Sequence, residues 1–200
     1  MIPDQRQLVE TVAKRIIAAS EELTALDSAI GDADHGLNMK RGFEAIMADI
    51  EKLSALPLPD ALKAIGMTLI MKVGGASGPL YGTLFMTMAK EIGAAPGTAD
   101  AGRALEAAVL AMKARGKSDT GCKTMLDVLA PLAAHLSHGQ TSFASLRSLV
   151  SEHVEATKPM KATRGRASFL GERSIGHIDP GARSSQIMIE AICDVFEGKA

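Results

Sequence analysis

Apolar positions recur along this chain at intervals of three and four. Val9, Val12, Ile16 and Ile17 begin one stripe that continues to about Leu26, and Met39, Phe43, Ile46, Met47, Ile50 and Leu53 form a second. A stripe of that period lines one face of an α-helix, so each predicts a helix with one buried side. Pro57 and Pro59 end the second stripe. Asp60 is expected to cap a third helix carrying Leu62, Ile65 and Leu69, and a fourth runs from the glycine break at 74–79 through Leu84, Met88 and Ile92. Residues 99–115, 124–137 and 142–157 read as the fifth, sixth and seventh, with Pro131 predicting a kink in the sixth. Asp179 and Pro180 mark the start of an eighth, whose inner face holds Ile187, Ala191, Ile192 and Val195. Alternation of period two, internal repeats and low-complexity tracts are missing. The expected fold is therefore all-α, a single domain over 1–200.

Composition sharpens this picture. The chain is 46% hydrophobic but only 3% aromatic, with no Trp, one Tyr and eleven Met. Its interior must be built from Ala, Leu, Ile, Val and Met, which suits helices packed closely through small side chains. Cys122 and Cys193 lack C-x-x-C spacing and no basic-then-apolar leader opens the chain, so a reducing cytoplasm is expected. No apolar run approaches the ~18 residues of a membrane span. A net charge of -1 argues against general nucleic-acid binding.

That charge is unevenly spread. Residues 21–34 hold Glu21, Glu22, Asp27, Asp32 and Asp34 without a Lys or Arg, whereas 158–183 hold six Lys or Arg against Glu172 and Asp179. Two such poles either pair on the surface or clamp a metal and its anion.

The loops between the helices carry the candidate chemistry. In "LDSAIGDADHGLNMKRGF", Asp32 and Asp34 are two apart and cannot share a ligand from a regular helix. With Asp27 they can converge if the chain reverses at Gly31. Carboxylate oxygens select hard cations, and the spacing excludes an EF-hand because Leu37 and Phe43 fall where its glycine and glutamate belong. Magnesium completed by phosphate oxygens fits best; a solvated turn capped by aspartates is the alternative. His35 is adjacent to these ligands. "GGASGP", residues 74–79, precedes a helix, so its N–H groups and Ser77 can face an anion. "GKSDTGCKT", residues 116–124, nearly spells a P-loop, but Cys122 separates the second glycine from Lys123 and no strand precedes it. A P-loop fold is rejected. Arg166 in the basic pole can fork onto phosphate, and the Asp179-Pro180-Gly181 run reads as a helix cap.

Four runs together resemble the L subunits of dihydroxyacetone kinases: "LDSAIGDADHGLNMKRGF", "VGGASGPLYGT", "KTMLDVLAPL" and "GRASFLGERSIGHIDPGA", in that order and over essentially the whole chain. The resemblance implies a barrel of eight antiparallel helices with ADP or ATP in loops at one end. It implies two Mg²⁺ held by Asp27, Asp32 and Asp34. Nucleotide contacts carry over to His35, Gly36, Leu37 and Asn38, to Ala76 and Ser77, to Gly116 and Met125, to Arg166, and to Asp179, Pro180 and Gly181, with Arg166 the catalytic candidate. One departure stands out: the family reads GDKTM where this chain has Cys122 in the aspartate's place.

The implied reaction moves a phosphoryl group from nucleotide to dihydroxyacetone held on a separate K subunit. In the phosphotransferase-linked version ADP stays bound and is rephosphorylated by a phosphohistidine M subunit; in the other, ATP exchanges as a substrate. A homodimer is a candidate assembly. Competing readings are a kinase subunit for another small ketose such as erythrulose or for a protein-bound acyl group, and a Mg-ADP-binding regulator without turnover.

Overall fold

In the computed structural model, which describes residues 4–139 and 142–199, the described residues form ten α-helices and one 3-10 segment, with no strand among them. The helices are α1 (Gln5–Ala18), α2 (Ser20–Ile30), α3 (His35–Ala48), α4 (Ile50–Ala55), α5 (Leu58–Lys72), α6 (Ser77–Glu91), α7 (Thr98–Gly116), α8 (Leu126–Ser137), α9 (Phe143–Ala156) and α10 (Pro180–Phe196); the 3-10 segment is Arg166–Ser174.

Eight stripes become ten helices because two are interrupted. The first breaks at Ala19 (φ −84°, ψ 6°) and the second at Asp49 (φ −99°, ψ 13°), single residues whose ψ leaves the helical range while the apolar face continues. The third starts earlier than the sequence suggests: Pro57 holds the cap position and Pro59 sits in the first turn, where its missing N–H costs nothing. Asp60 is inside the helix rather than its cap. Pro131 lies within α8, which nevertheless runs to Ser137.

Each stripe packs against the next. The contacts run α1 with α3, α3 with α5, then α5, α6, α7, α8, α9 and α10 in sequence, and α10 returns to α1 and α2. Successive rods alternate in direction. Residues at the end of one meet the start of the next: Gly78 lies against Val73, Gly116 against Leu80, and Gly102 against Ser137, while the rings of Phe143 and Phe196 are 5.9 Å apart. The low aromatic content shows in the contacts. A Cβ on Gly66 would lie 3.0 Å from the Gly82 carbonyl, so α5 and α6 touch nearly backbone to backbone. Met39, Met112, Leu129 and Leu132 fill the centre.

Alternation has one consequence for function. The connections at 31–34, 73–76, 117–125 and 157–179 all emerge at the same end, and each of them carries glycine.

Candidate functional site

Asp27 lies in the last turn of α2. Its Oδ2 accepts the N–H groups of Asp34 (2.8 Å) and His35 (3.1 Å), satisfying donors that the start of α3 would otherwise leave unpaired. Asp32 and Asp34 come round to it because Ala33 adopts a left-handed conformation, φ 59°, a strained choice for a residue with a side chain. The reversal expected at Gly31 is thus made by Ala33. Gly31 has a negative φ of −142° and is needed for another reason: a Cβ there would overlap the Asp27 carboxylate. One oxygen each from Asp27, Asp32 and Asp34 then lies within 4.8 Å of the others, with Asp27 buried. Three oxygens without nitrogen or sulfur form the donor set of a hard divalent cation.

Beside this cluster lies a buried polar chain. His35 places Nδ1 3.0 Å from Ser77 Oγ and Nε2 3.0 Å from Ser184 Oγ. Ser184 in turn lies 2.7 Å from the hydroxyl of Tyr81, which also donates to the Gly181 carbonyl at 3.0 Å. Burial pushes the His35 pKa down to about 4, with the Asp27 charge opposing, so the imidazole is neutral. The chain ties the starts of α3, α6 and α10 together. Asp179 caps α10 by accepting from Ala182 N–H at 2.7 Å, and burial raises its pKa to about 7.

The third loop answers what replaces the family's aspartate. Asp127 accepts from Gly121 and, at 2.7 Å, from Thr124, so it braces the loop that leads into α8. Lys123 is 1% exposed, and its Nζ donates to backbone carbonyls of the fourth loop. Burial lowers its pKa, with Asp179 opposing. Bracing this loop and holding Lys123 therefore need no carboxylate at Cys122. The thiol there is half-buried, and a hydrogen bond with the Thr163 side chain brings its pKa below the ordinary range.

The charge poles meet at two points: Arg166 Nε lies 3.1 Å from Asp32 Oδ2, and Arg183 pairs with Glu22 at 2.6 Å.

Between the four loops opens a cavity of about 750 Å³, within the range that holds small organic ligands and cofactors. Its lining includes Asp27, Asp32, Asp34, His35, Ala76, Ser77, Gly116, Met125, Arg166, Asp179, Pro180 and Gly181. Three residues carried over from the resemblance lie outside that lining. Gly36 is buried where α3 crosses α2, and a Cβ would overlap the Ser20 carbonyl and Thr24; Asn38 accepts from Arg41 at 2.7 Å; Leu37 is 59% exposed. Sequence reasoning also missed lining residues. Leu80 and Met112 give the cavity an apolar wall, while Arg115, Arg164 and Phe169 stand at its edge. The first two read simply as core, and the arginines and Phe169 have no pattern of their own.

A DAK2 domain family profile matches residues 29–194. The chain is 43% identical to the ADP-binding subunit of PEP-dependent dihydroxyacetone kinase 1 from Listeria innocua, over 90% of this chain and 89% of that one. It is 44% identical to the ADP-binding subunit of the PTS-dependent dihydroxyacetone kinase of Lactococcus lactis, covering 86% of each. The ADP-binding subunit of the PEP-dependent enzyme of Escherichia coli is 42% identical, covering 86% of this chain and 87% of that one. Among solved structures, the dihydroxyacetone kinase of C. freundii in complex with AMP-PNP and Mg²⁺ matches with a TM-score of 0.77 at 23% identity. This chain is 94% covered there but spans only 33% of that longer one, so the likeness concerns the fold.

Proposed function

The chain belongs to the DAK2 domain family, and from that premise we propose that it is the nucleotide-binding subunit of a dihydroxyacetone kinase, delivering a phosphoryl group to dihydroxyacetone held on a separate K subunit. The observation that carries this reading is the convergence of three carboxylates on a cavity that is also lined by helix starts, arginines and an apolar wall. Asp27, Asp32 and Asp34 suit Mg²⁺, and two ions are proposed. When bound, magnesium supplies charge neutralisation along the phosphates and fixes their orientation.

The protein's own groups do the rest. Asp27, held by two backbone N–H donors, is a ligand already oriented before any ion arrives. The start of α6 at Ala76 and Ser77 presents the positive end of a helix to negative charge. Arg166 offers a guanidinium to charge that grows on the transferring phosphoryl group. The apolar wall of Leu80, Met112 and Met125 suits a purine and excludes water from that side. No general base need lie in this chain; the partner carrying the acceptor must align its hydroxyl.

Between the two cycles, the relatives' names favour the phosphotransferase-linked one, in which ADP stays bound and a phosphohistidine M subunit recharges it. Extensive dialysis of the purified chain tests this. ADP should remain and accept phosphate from a phosphohistidine donor, and Asp32→Asn or Asp34→Asn should lose magnesium-dependent ADP binding with helical content intact. Undiminished Mg-ADP binding by both variants would overturn the metal assignment, while empty wild-type protein that turns over only with added ATP would indicate the exchanging cycle.

A further inference from the structure

Lys123 stands where a phosphate-loop lysine would reach a ligand and borders the cavity, yet its ammonium is committed to backbone carbonyls of the fourth loop. Nζ donates to the carbonyls of Thr157 (2.8 Å), Met160 (3.2 Å) and His177, with Lys158 at 3.4 Å. No carboxylate among the described residues forms an ion pair with it; carbonyl dipoles meet its charge at contact distance, and Asp179 favours it from further off. Moving Nζ up to a phosphate would orphan these carbonyls in a buried place, at a cost comparable to several lost hydrogen bonds.

The carbonyls belong to both limbs of one excursion. Thr157 and Met160 lie on the outgoing limb and His177 on the returning one, and the same base is pinned by Gly176 N–H to the Lys158 carbonyl (2.8 Å), Asp179 N–H to Thr157 Oγ1 (3.1 Å) and Ala162 N–H to Ser174 Oγ (2.9 Å). Between the limbs are Arg164, Arg166 and Phe169, all bordering the cavity. Arg164 donates to the Lys117 carbonyl at 2.6 Å, and Arg166 reaches Asp32. Where these arginines arrive is set by how the base is closed.

We propose that Lys123 is a positioning residue for phosphoryl transfer: it clasps both limbs of segment 157–179 and thereby places Arg166 opposite the aspartates, without touching the nucleotide. This rests on the reading of the cavity as a Mg-nucleotide site.

A double-mutant cycle on Mg-ADP affinity tests it, using Lys123→Met, Arg166→Gln and the pair. Each single change should weaken binding roughly 10- to 100-fold, the worth of one charge-assisted contact. The double variant should fall within about threefold of the weaker single, because both changes remove the same arginine contact. Losses that multiply would show Lys123 acting independently of Arg166 and overturn the proposal. So would a Lys123→Met protein that unfolds earlier but binds Mg-ADP normally. The wild type supplies a measurement that needs no variant to fold: amine acylation read by mass spectrometry should leave Lys123 unlabelled with or without Mg-ADP, while exposed Lys158 and Lys161 react. Labelling of Lys123 in the free protein that Mg-ADP suppresses would make it a direct ligand and overturn the proposal. Wild-type protein that fails to bind Mg-ADP at all is a different outcome, which strikes the functional reading itself.

Discussion

Asp27 shows how much a single side chain can be made to do by its neighbours. It accepts two N–H groups from the next helix and leaves no space at residue 31 for anything beyond hydrogen. Gly31→Ala should therefore displace the Asp27 carboxylate and weaken magnesium-dependent nucleotide binding at least tenfold, measured by titration calorimetry, with far-ultraviolet circular dichroism unchanged. His35 makes a prediction about acid. Its pKa falls from 6.5 to about 4 in the fold, so the unfolded chain takes up the proton first as pH drops. The stability its neutral form contributes is present above pH 6.5 and is lost as pH falls toward 4, by up to about 3 kcal/mol. Asp179, raised to about 7, works in the opposite sense over much of the same range, so the wild-type curve alone conceals the effect. Comparison with His35→Gln in metal chelator isolates it: the wild type's advantage in urea denaturation should shrink between pH 7 and pH 4. A difference that stays constant would show the imidazole is not held neutral.

Among the elements, the period of three and four located every long helix, because burying one face is what an amphipathic sequence demands. Ala19 and Asp49 left no mark, since the apolar phase runs through both. The 3-10 segment was invisible for a different reason. Its shape depends on contacts from afar, such as Ala162 N–H to Ser174 Oγ, rather than on its own spacing. The site divides in the same way. Asp27, Asp32 and Asp34 were readable as a cluster, but the left-handed turn fell on Ala33, a residue with no turn signature. Lys123 was readable only as part of a failed phosphate-loop pattern; its partners are carbonyls, which carry no sequence identity. Gly36, which the resemblance gives to the nucleotide, also lies at the α2–α3 crossing, where it acts as a spacer. Gly36→Ala should cost about 1–3 kcal/mol through overpacking and pull Asp34 away from Asp27. Exposed Leu37→Ala should change unfolding by less than about 0.5 kcal/mol.

For the whole molecule, what decides function is that eight rods alternate in direction around a closed circuit of contacts. Alternation gathers every second connection at one end, so four loops far apart in sequence meet around one cavity. The composition foretold the close packing, with Gly66 and Gly82 where α5 and α6 approach. The circuit itself was implied by resemblance, for periodicity names helices and says nothing of their neighbours. Within the described residues no helix is long and apolar enough to cross a membrane.

The opposite end of the rods is correspondingly free. The turn at 93–97 between α6 and α7 is largely exposed, and Gly93 faces open space. A fluorescent domain on flexible linkers spliced between Ala94 and Ala95 should leave Mg-ADP affinity within about twofold of wild type, since inserted loops cost little closure entropy. The same graft between Gly75 and Ala76 should abolish it. This protein can then be read as a cartridge with a working face and a handle, and the handle is where a reporter, an anchor or a tether to another enzyme belongs.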